Sequence, residues 1–171
     1  GDQLSFVADM DSTLGSISIN GSLLKVIPLE NYNGDIEISV MISDGEYTDS
    51  TDFTLTVNAV NDAPYVFQPL EDLEINEDSE VETLVLSTVF DDVDDDSLYF
   101  EVAINIDGII TAEINEDTLI INTLPDQNGG PVNVTINAYD GGSILPVSDN
   151  FDVTIESIND PPSLLPIDDD Q

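Results

Sequence analysis

Apolar and polar residues alternate with a period of two along most of this chain. Ile36, Ile38, Val40 and Ile42 are separated by Glu37, Ser39 and Met41, and Phe53, Leu55 and Val57 by Thr54 and Thr56. The same pattern returns in Val132, Val134, Ile136 and Ala138, and again in Phe151, Val153 and Ile155. Such alternation predicts strands with one buried and one wet face. Turn-forming pairs lie between them: Asn33-Gly34, Asp44-Gly45, Asp107-Gly108, Asn128-Gly129 and Asp140-Gly141. These residues accept the backbone conformations that tight connections need. No segment sustains a 3.6-residue period. Many short strands with regular turn signals predict an all-β chain, built as an antiparallel sandwich rather than a parallel α/β sheet.

The strands fall into a repeat. Val60-Asn61-Asp62-Ala63-Pro64 returns as Ile158-Asn159-Asp160-Pro161-Pro162, and the segments before each correspond in order. Leu4-Ser5-Phe6 answers Leu98-Tyr99-Phe100, and Ile19-Asn20-Gly21 answers Ile114-Asn115-Glu116. One period is roughly 98 residues, the size of an immunoglobulin-like sandwich. The expected organisation is a first repeat at 1–62 lacking its opening third, a complete repeat at 63–160, and the start of a third at 161–171. On this reading the chain is cut from a longer array. The apolar faces Leu4/Phe6 and Ile36–Ile42 are then only partly covered, and a neighbouring chain adding strands is one way to cover them.

Composition changes this picture in one direction. The chain carries 37 acidic residues against a single basic one (Lys25), with no His and no Cys, for a net charge of −36. Nucleic acid and anionic membranes need Lys or Arg on the protein, so neither is an expected partner. Without His and Cys the usual zinc, copper and iron ligands, disulfides, thiol nucleophiles and His-dependent triads are absent. No apolar run approaches a membrane span. A hydrophobic fraction of 40% in a patterned arrangement still predicts a folded chain. What remains chemically is carboxylate and carbonyl oxygen, the donors that hard cations take. Asp92, Asp94 and Asp96 alternate, so in an extended strand their carboxylates share one side and repel unless a cation sits among them.

Residues 57–64 (Val-Asn-Ala-Val-Asn-Asp-Ala-Pro), 75–78 (Ile-Asn-Glu-Asp), the acidic run 89–98 and Ala138-Tyr139-Asp140-Gly141-Gly142 together resemble the tandem cadherin-like repeats of bacterial secreted and surface proteins. The resemblance spans essentially the whole chain. It implies tandem immunoglobulin/cadherin-like Greek-key β-sandwiches in an extracellular stalk or adhesin, with Ca2+ near the repeat junctions. Carried over residue by residue, it implies one site from Asn61, Asp62, Asp92, Asp94 and Asp140, with Asp96 alongside. A second joins Glu77 to Asn159 and Asp160, with Asp168–Asp170 as additions. The chain departs from the cadherin pattern at its linkers: Asn58-Ala59-Val60-Asn61-Asp62-Ala63 lacks the first acid and the last Asn. The mid-repeat glutamate pair is matched only approximately, by Glu30 and Asp126.

The expected function is therefore an extracellular structural and adhesive repeat module stiffened by calcium, whose partners are neighbouring repeats and copies of itself. The alternatives are a calcium-independent spacer, a module binding carbohydrate or a cell-surface protein through loops such as 143–149, and a subunit of an extracellular filament. No catalysis is expected: nothing indicates a cleft with a carboxyl in an apolar wall, and there is no Trp to stack a sugar. For Asp44 and Asp140 the competing explanation is a hairpin residue in the left-handed region. For Asn61-Asp62 and Asn159-Asp160 it is a turn before proline. Asn20 and Asn133 fit the short glycosylation acceptor pattern.

Overall fold

The computed structural model describes residues 3–94, 97–143 and 145–162. The chain divides into two compact units, Gly1–Val60 and Asn61–Gln171. Apart from a 3-10 turn at Leu86–Thr88, the regular structure among the described residues is all strand. No helix there is long and apolar enough to cross a membrane.

Unit 1 contains β1 (Ser5–Met10), β2 (Gly15–Asn20), β3 (Leu23–Pro28), β4 (Gly34–Ser43) and β5 (Thr48–Val57). β1, β4 and β5 form one antiparallel sheet with β4 central, and β2 and β3 pair as a hairpin. The alternation in β4 is converted into burial as expected, with Ile36 and Ile38 at the interior. Its wet face pairs across strands by hydroxyl-to-carboxylate hydrogen bonds: Thr54 Oγ1 donates to Glu37 Oε1 and Thr56 Oγ1 to Asp35 Oδ1, each at 2.7 Å. Acid on this face is thus held by neighbouring hydroxyls.

Unit 2 contains β6 (Tyr65–Val66), β7 (Leu73–Asn76), β8 (Glu82–Val85), β9 (Phe90–Asp91), β10 (Tyr99–Ile104), β11 (Ile110–Asn115), β12 (Thr118–Thr123), β13 (Gly129–Tyr139) and β14 (Val147–Glu156). One sheet runs β10-β13-β14-β7, a second runs β11-β12-β8, and β6 pairs with β9. Between the two larger sheets lies a continuous core that includes Leu86, Phe90, Leu119, Ile121, Val132, Val134, Ile136, Phe151 and Val153. Every apolar residue named from the alternation in β13 and β14 is buried. β13 is bent by an irregularity between Gly129 and Val132. Gly130 there has φ +123°, and a Cβ at that position would lie 2.8 Å from the Val153 carbonyl oxygen, so only glycine fits.

Two features depart from the expected arrangement. The sandwich is not purely antiparallel, because β7 adds to β14 in parallel, with Leu73 opposite Val153 and Asn76 opposite Glu156. Four residues of β7 carry too short a pattern to announce a strand. Side chains hold it in place: Asp152 N–H donates to Asp72 Oδ1 and Leu70 N–H to Asp149 Oδ2. The second departure is the acidic run, which is not extended: β9 ends at Asp91, and Val93-Asp94 turns. Asp94 N–H donates to Asp92 Oδ1 at 2.8 Å, so the alternation of Asp92 and Asp94 does not place both carboxylates on one side of a strand.

Phe151 and its repeat counterpart Phe53 differ in exposure, 2% against 41%. Phe151→Ala is expected to destabilise unit 2 by about 3–5 kcal/mol, the usual cost of a large core truncation. Phe53→Ala should cost unit 1 well under half of that. Urea denaturation combined with residue-resolved amide exchange, which separates the two units, checks both values.

Candidate metal centre

Unit 2 gathers acidic side chains beyond both ends of β13. At the end where β13 finishes, the entering segment Asn61-Asp62 is tied down by carboxylates. Asp62 N–H donates to Asp94 Oδ2 at 2.7 Å. The Asn61 amide donates to Asp140 Oδ2 at 3.0 Å and to Ser143 Oγ at 3.3 Å. Asp140 Oδ1 accepts from the N–H groups of Gly142 and Ser143, at 2.8 and 2.7 Å. The left-handed conformation belongs to Gly141 and, in the corresponding turn of unit 1, to Gly45. Asp140 and Asp44 instead cap these turns through their side chains, which removes the hairpin-residue explanation for both. Gly142 leaves room for the Asn61 amide, which a Cβ there would displace.

The electrostatics follow from these bonds. Donation from Ser143 N–H, and then from the Asn61 amide, holds the Asp140 carboxyl well below the usual aspartate range. Asp92 is the exception at this end. It is 6% exposed, its Oδ1 accepts from Asp94 N–H, and its Oδ2 is buried with no hydrogen-bond partner. A buried carboxylate oxygen without a donor is costly unless a proton or a cation meets it.

At the other end, beyond Gly129, the pattern is reversed. Glu77 is 3% exposed and fully engaged, with Oε1 accepting from Ile158 N–H at 2.7 Å and Oε2 from the Asn128 amide at 3.1 Å. It thereby pins the departing linker to the end of β7. Next to it, Asp78 and Asp126 both adopt left-handed backbone, φ 59° and 56°, and Asp126 N–H donates to Asp78 Oδ1 at 3.2 Å. One carboxylate oxygen from each of Asp78, Asp126 and Asp160 lies within 4.8 Å of the others. Among the described residues this is the one such convergence of three acids. Unit 2 has no Lys or Arg to neutralise it, Lys25 being the chain's only basic side chain. Desolvation, followed by the charges of Asp126, Asp78 and Glu77, pushes the Asp160 carboxyl above its usual value.

The structure therefore brings Asn61, Asp62, Asp94 and Asp140 into one hydrogen-bonded network with Asp92 attached through Asp94. It joins Asp160 to Asp78 and Asp126 beside Glu77. Asn159 takes no part in that convergence; its amide donates to the Asp160 carbonyl at 3.1 Å. Asp96 and Asp168–Asp170 lie outside the described residues. Asp78 was not singled out by sequence. Its signal was present in the Glu77-Asp78 pair directly after a strand, but only the fold brings the Asp126 turn against it.

Comparison with known proteins gives a fold and no family. No family model matches the sequence, and no curated protein matches it. Among solved structures, human protocadherin-24 EC1-2 has a TM-score of 0.56 at 17% identity, covering 94% of this chain and 84% of that one. Chicken VE-cadherin EC1-2 has a TM-score of 0.47 at 15% identity, covering 90% and 84%. The fold is cadherin-like. The endo-fucoidan hydrolase MfFcnA4 from glycoside hydrolase family 107 also matches, with a TM-score of 0.44 at 19% identity over 93% of this chain. This chain spans only 24% of the hydrolase's length.

The two displaced aspartates should titrate in opposite senses in chelator. Asp140 is depressed when folded, so its stabilisation is complete above the ordinary value of 3.8 and disappears as pH falls through the lower folded value. Asp160 is raised, so the cation-free protein loses stability as pH climbs from 3.8 through the elevated folded value. At neutral pH, Asp140→Asn should be less stable than the parent and Asp160→Asn more stable, with both differences closing in acid. Urea titrations at a series of pH values provide the measurement.

Proposed function

We propose that this chain is a non-catalytic, cadherin-like repeat segment of an extracellular protein, of the kind that bacteria secrete or display, and that calcium binds at the ends of unit 2. The observation that carries the reading is the convergence of Asp78, Asp126 and Asp160 within 4.8 Å. Calcium binds six to eight oxygens at 2.3–2.6 Å, so two oxygens on one ion are at most about 5.2 Å apart, and oxygens within 4.8 Å of one another can share it. Three carboxylates converge here with no basic group in the unit, and they come from three separate segments. The Asp160 carboxyl is raised there by desolvation first and then by the charges of Asp126, Asp78 and Glu77.

Calcium would be held by Asp78, Asp126 and Asp160, with Glu77 as the positioning group that keeps the linker at Ile158 in place. At the other end, the buried and unpartnered Asp92 Oδ2 fits a cation, with Asp94, Asp62, Asp140 and the Asn61 side chain, which hydrogen bonds join into one network with it, as the donors an ion would have to draw in. In both places a linker residue and sandwich residues would share the ion. Filling the site would then fix the direction in which the chain enters and leaves unit 2, which suits a stalk or adhesin working under tension. The chain's −36 charge also favours a salty exterior, where screening shortens the reach of its self-repulsion.

Calorimetric titration with Ca2+ at constant high ionic strength should show saturable binding. A hundredfold excess over Kd should raise stability by about 2.7 kcal/mol per site relative to chelator. Asp126→Asn and Asp160→Asn should each weaken binding by roughly tenfold or more, since ligand charge tunes calcium affinity over decades. Asp92→Asn should abolish the component belonging to the other end. An unchanged melting temperature between calcium and chelator would sink the proposal.

A further inference from the structure

Beside Asp92, unit 2 holds a recess of about 250 Å³ lined by both apolar and acidic side chains. Its apolar lining comes from Leu98 and from Phe90 and Phe100, whose ring centroids are 5.7 Å apart. Its acidic lining comes from Asp91, Asp92 and Asp117. Separate segments deliver these residues: β9 is Phe90-Asp91, Leu98 leads into β10, and Asp117 lies in the tight turn between β11 and β12. All of them belong to unit 2.

The three acids of the recess meet only neutral donors. Asp91 Oδ1 accepts from Asp92 N–H at 2.9 Å and its Oδ2 from the Tyr65 hydroxyl at 3.1 Å. Asp117 Oδ2 accepts from Ser87 Oγ at 2.9 Å and its Oδ1 from Thr118 Oγ1 at 3.2 Å. Each of these oxygens keeps room for a further donor. Asp92 adds an independent sign of a missing one: the residue is 6% exposed, and its Oδ2 has no hydrogen-bond partner. Unit 2 cannot supply the cation itself, since the chain's only basic residue is Lys25 in unit 1.

The lining selects the kind of cation. Calcium takes six to eight oxygens, and the Phe90, Leu98 and Phe100 side chains offer it none. An ammonium group donates three hydrogen bonds, its methylene stem packs on apolar surface, and its charge is attracted to aromatic rings. We propose that this recess binds a primary alkylammonium group, carried by a lysine side chain of a partner protein or by a free polyamine. Asp91, Asp92 and Asp117 accept from the ammonium, and the two phenylalanines with Leu98 pack against its stem. Asp92 Oδ2 meets one cation at a time, so the amine occupies the calcium-free protein. The inference does not rest on the calcium reading.

The test titrates the isotopically labelled full chain with the peptide acetyl-Gly-Lys-Gly-amide and, separately, with putrescine. Chelator is present throughout, and constant high ionic strength screens diffuse attraction to the acidic surface. Saturable shifts are expected at the Phe90, Leu98 and Phe100 side chains, with the β7 amides unmoved. The same peptide with norleucine in place of lysine should cause none. Asp117→Asn should weaken amine binding by roughly tenfold or more while leaving calcium binding unchanged. Tighter binding of the peptide would assign the amine to a partner's lysine, and tighter binding of putrescine to a free polyamine. No saturable shift with either amine, equal shifts from the norleucine peptide, or shifts spread over the acidic surface of both units would each overturn the inference. Because calcium is absent from the titration, failure here leaves the calcium reading standing, and failure of calcium to bind leaves this one standing.

Discussion

Everything in unit 2 follows from one shortage: its carboxylates have no cationic side chain to pair with. Each acid that the fold places near its own backbone must therefore find an N–H, a hydroxyl or an amide. Leu70 N–H is met by Asp149, Asp152 N–H by Asp72, Ile158 N–H by Glu77 and Asp62 N–H by Asp94. These are charge-assisted hydrogen bonds, stronger than their neutral equivalents. They fall where irregular chain joins a strand, so the acid that could have destabilised the sandwich instead fastens its ends. Pairing the acids with lysines would have made exposed ion pairs, each contributing little.

The strands were legible because burial on one face imposes a period of two, and β4, β13 and β14 are long enough to show it. Repetition was legible because two linkers share the pattern Asn-Asp-x-Pro after an apolar β-branched residue. The parallel strand β7 was not, since its four residues are positioned by Asp72 and Asp149 across the sheet, a relation that local pattern does not encode. The candidate site was half legible. Asn61, Asp62, Asp94 and Asp140 do meet, and Glu77 does reach the departing linker. But regular alternation of Asp92, Asp94 and Asp96 suggested a strand, whereas the backbone turns at Val93-Asp94, and a turn aims side chains by its own hydrogen bonds. Asp78 and Asp126 meet Asp160 only because two left-handed residues in separate loops face one another.

The two ends of unit 2 show how the same composition can give opposite electrostatic outcomes. Around Asp140 donors are plentiful, and the carboxyl is pulled below its ordinary range by Ser143 and Asn61. Around Asp160 the neighbours are further carboxylates, and the shift is upward. Asp92 stands between these cases: one oxygen is satisfied by Asp94 N–H and the other is buried without a donor. A carboxylate supplied with donors is stabilised in its charged form, whereas a donor-poor cluster of carboxylates is destabilised by its own charge. Unit 2 combines the two: N–H and amide donors meet Asp140 at its entry, while at its exit Asp78, Asp126 and Asp160 face one another with no cationic side chain in the unit.

Comparison between the units separates what strand pattern decides from what cover decides. Phe53 and Phe151 sit at matching register positions in equally patterned strands, yet one is exposed and the other buried. The alternation specifies which face is apolar; it does not supply the layer that removes that face from water. In unit 2 that layer is the acidic segment from Tyr65 to Asp91, held by the same carboxylate-to-N–H bonds that fasten the ends. The shortage of cations and the closing of the core are therefore linked. Asp72 and Glu77 accept from Asp152 N–H and Ile158 N–H, on either side of the β14 stretch that β7 pairs with, and Leu86 enters the same core as Phe151.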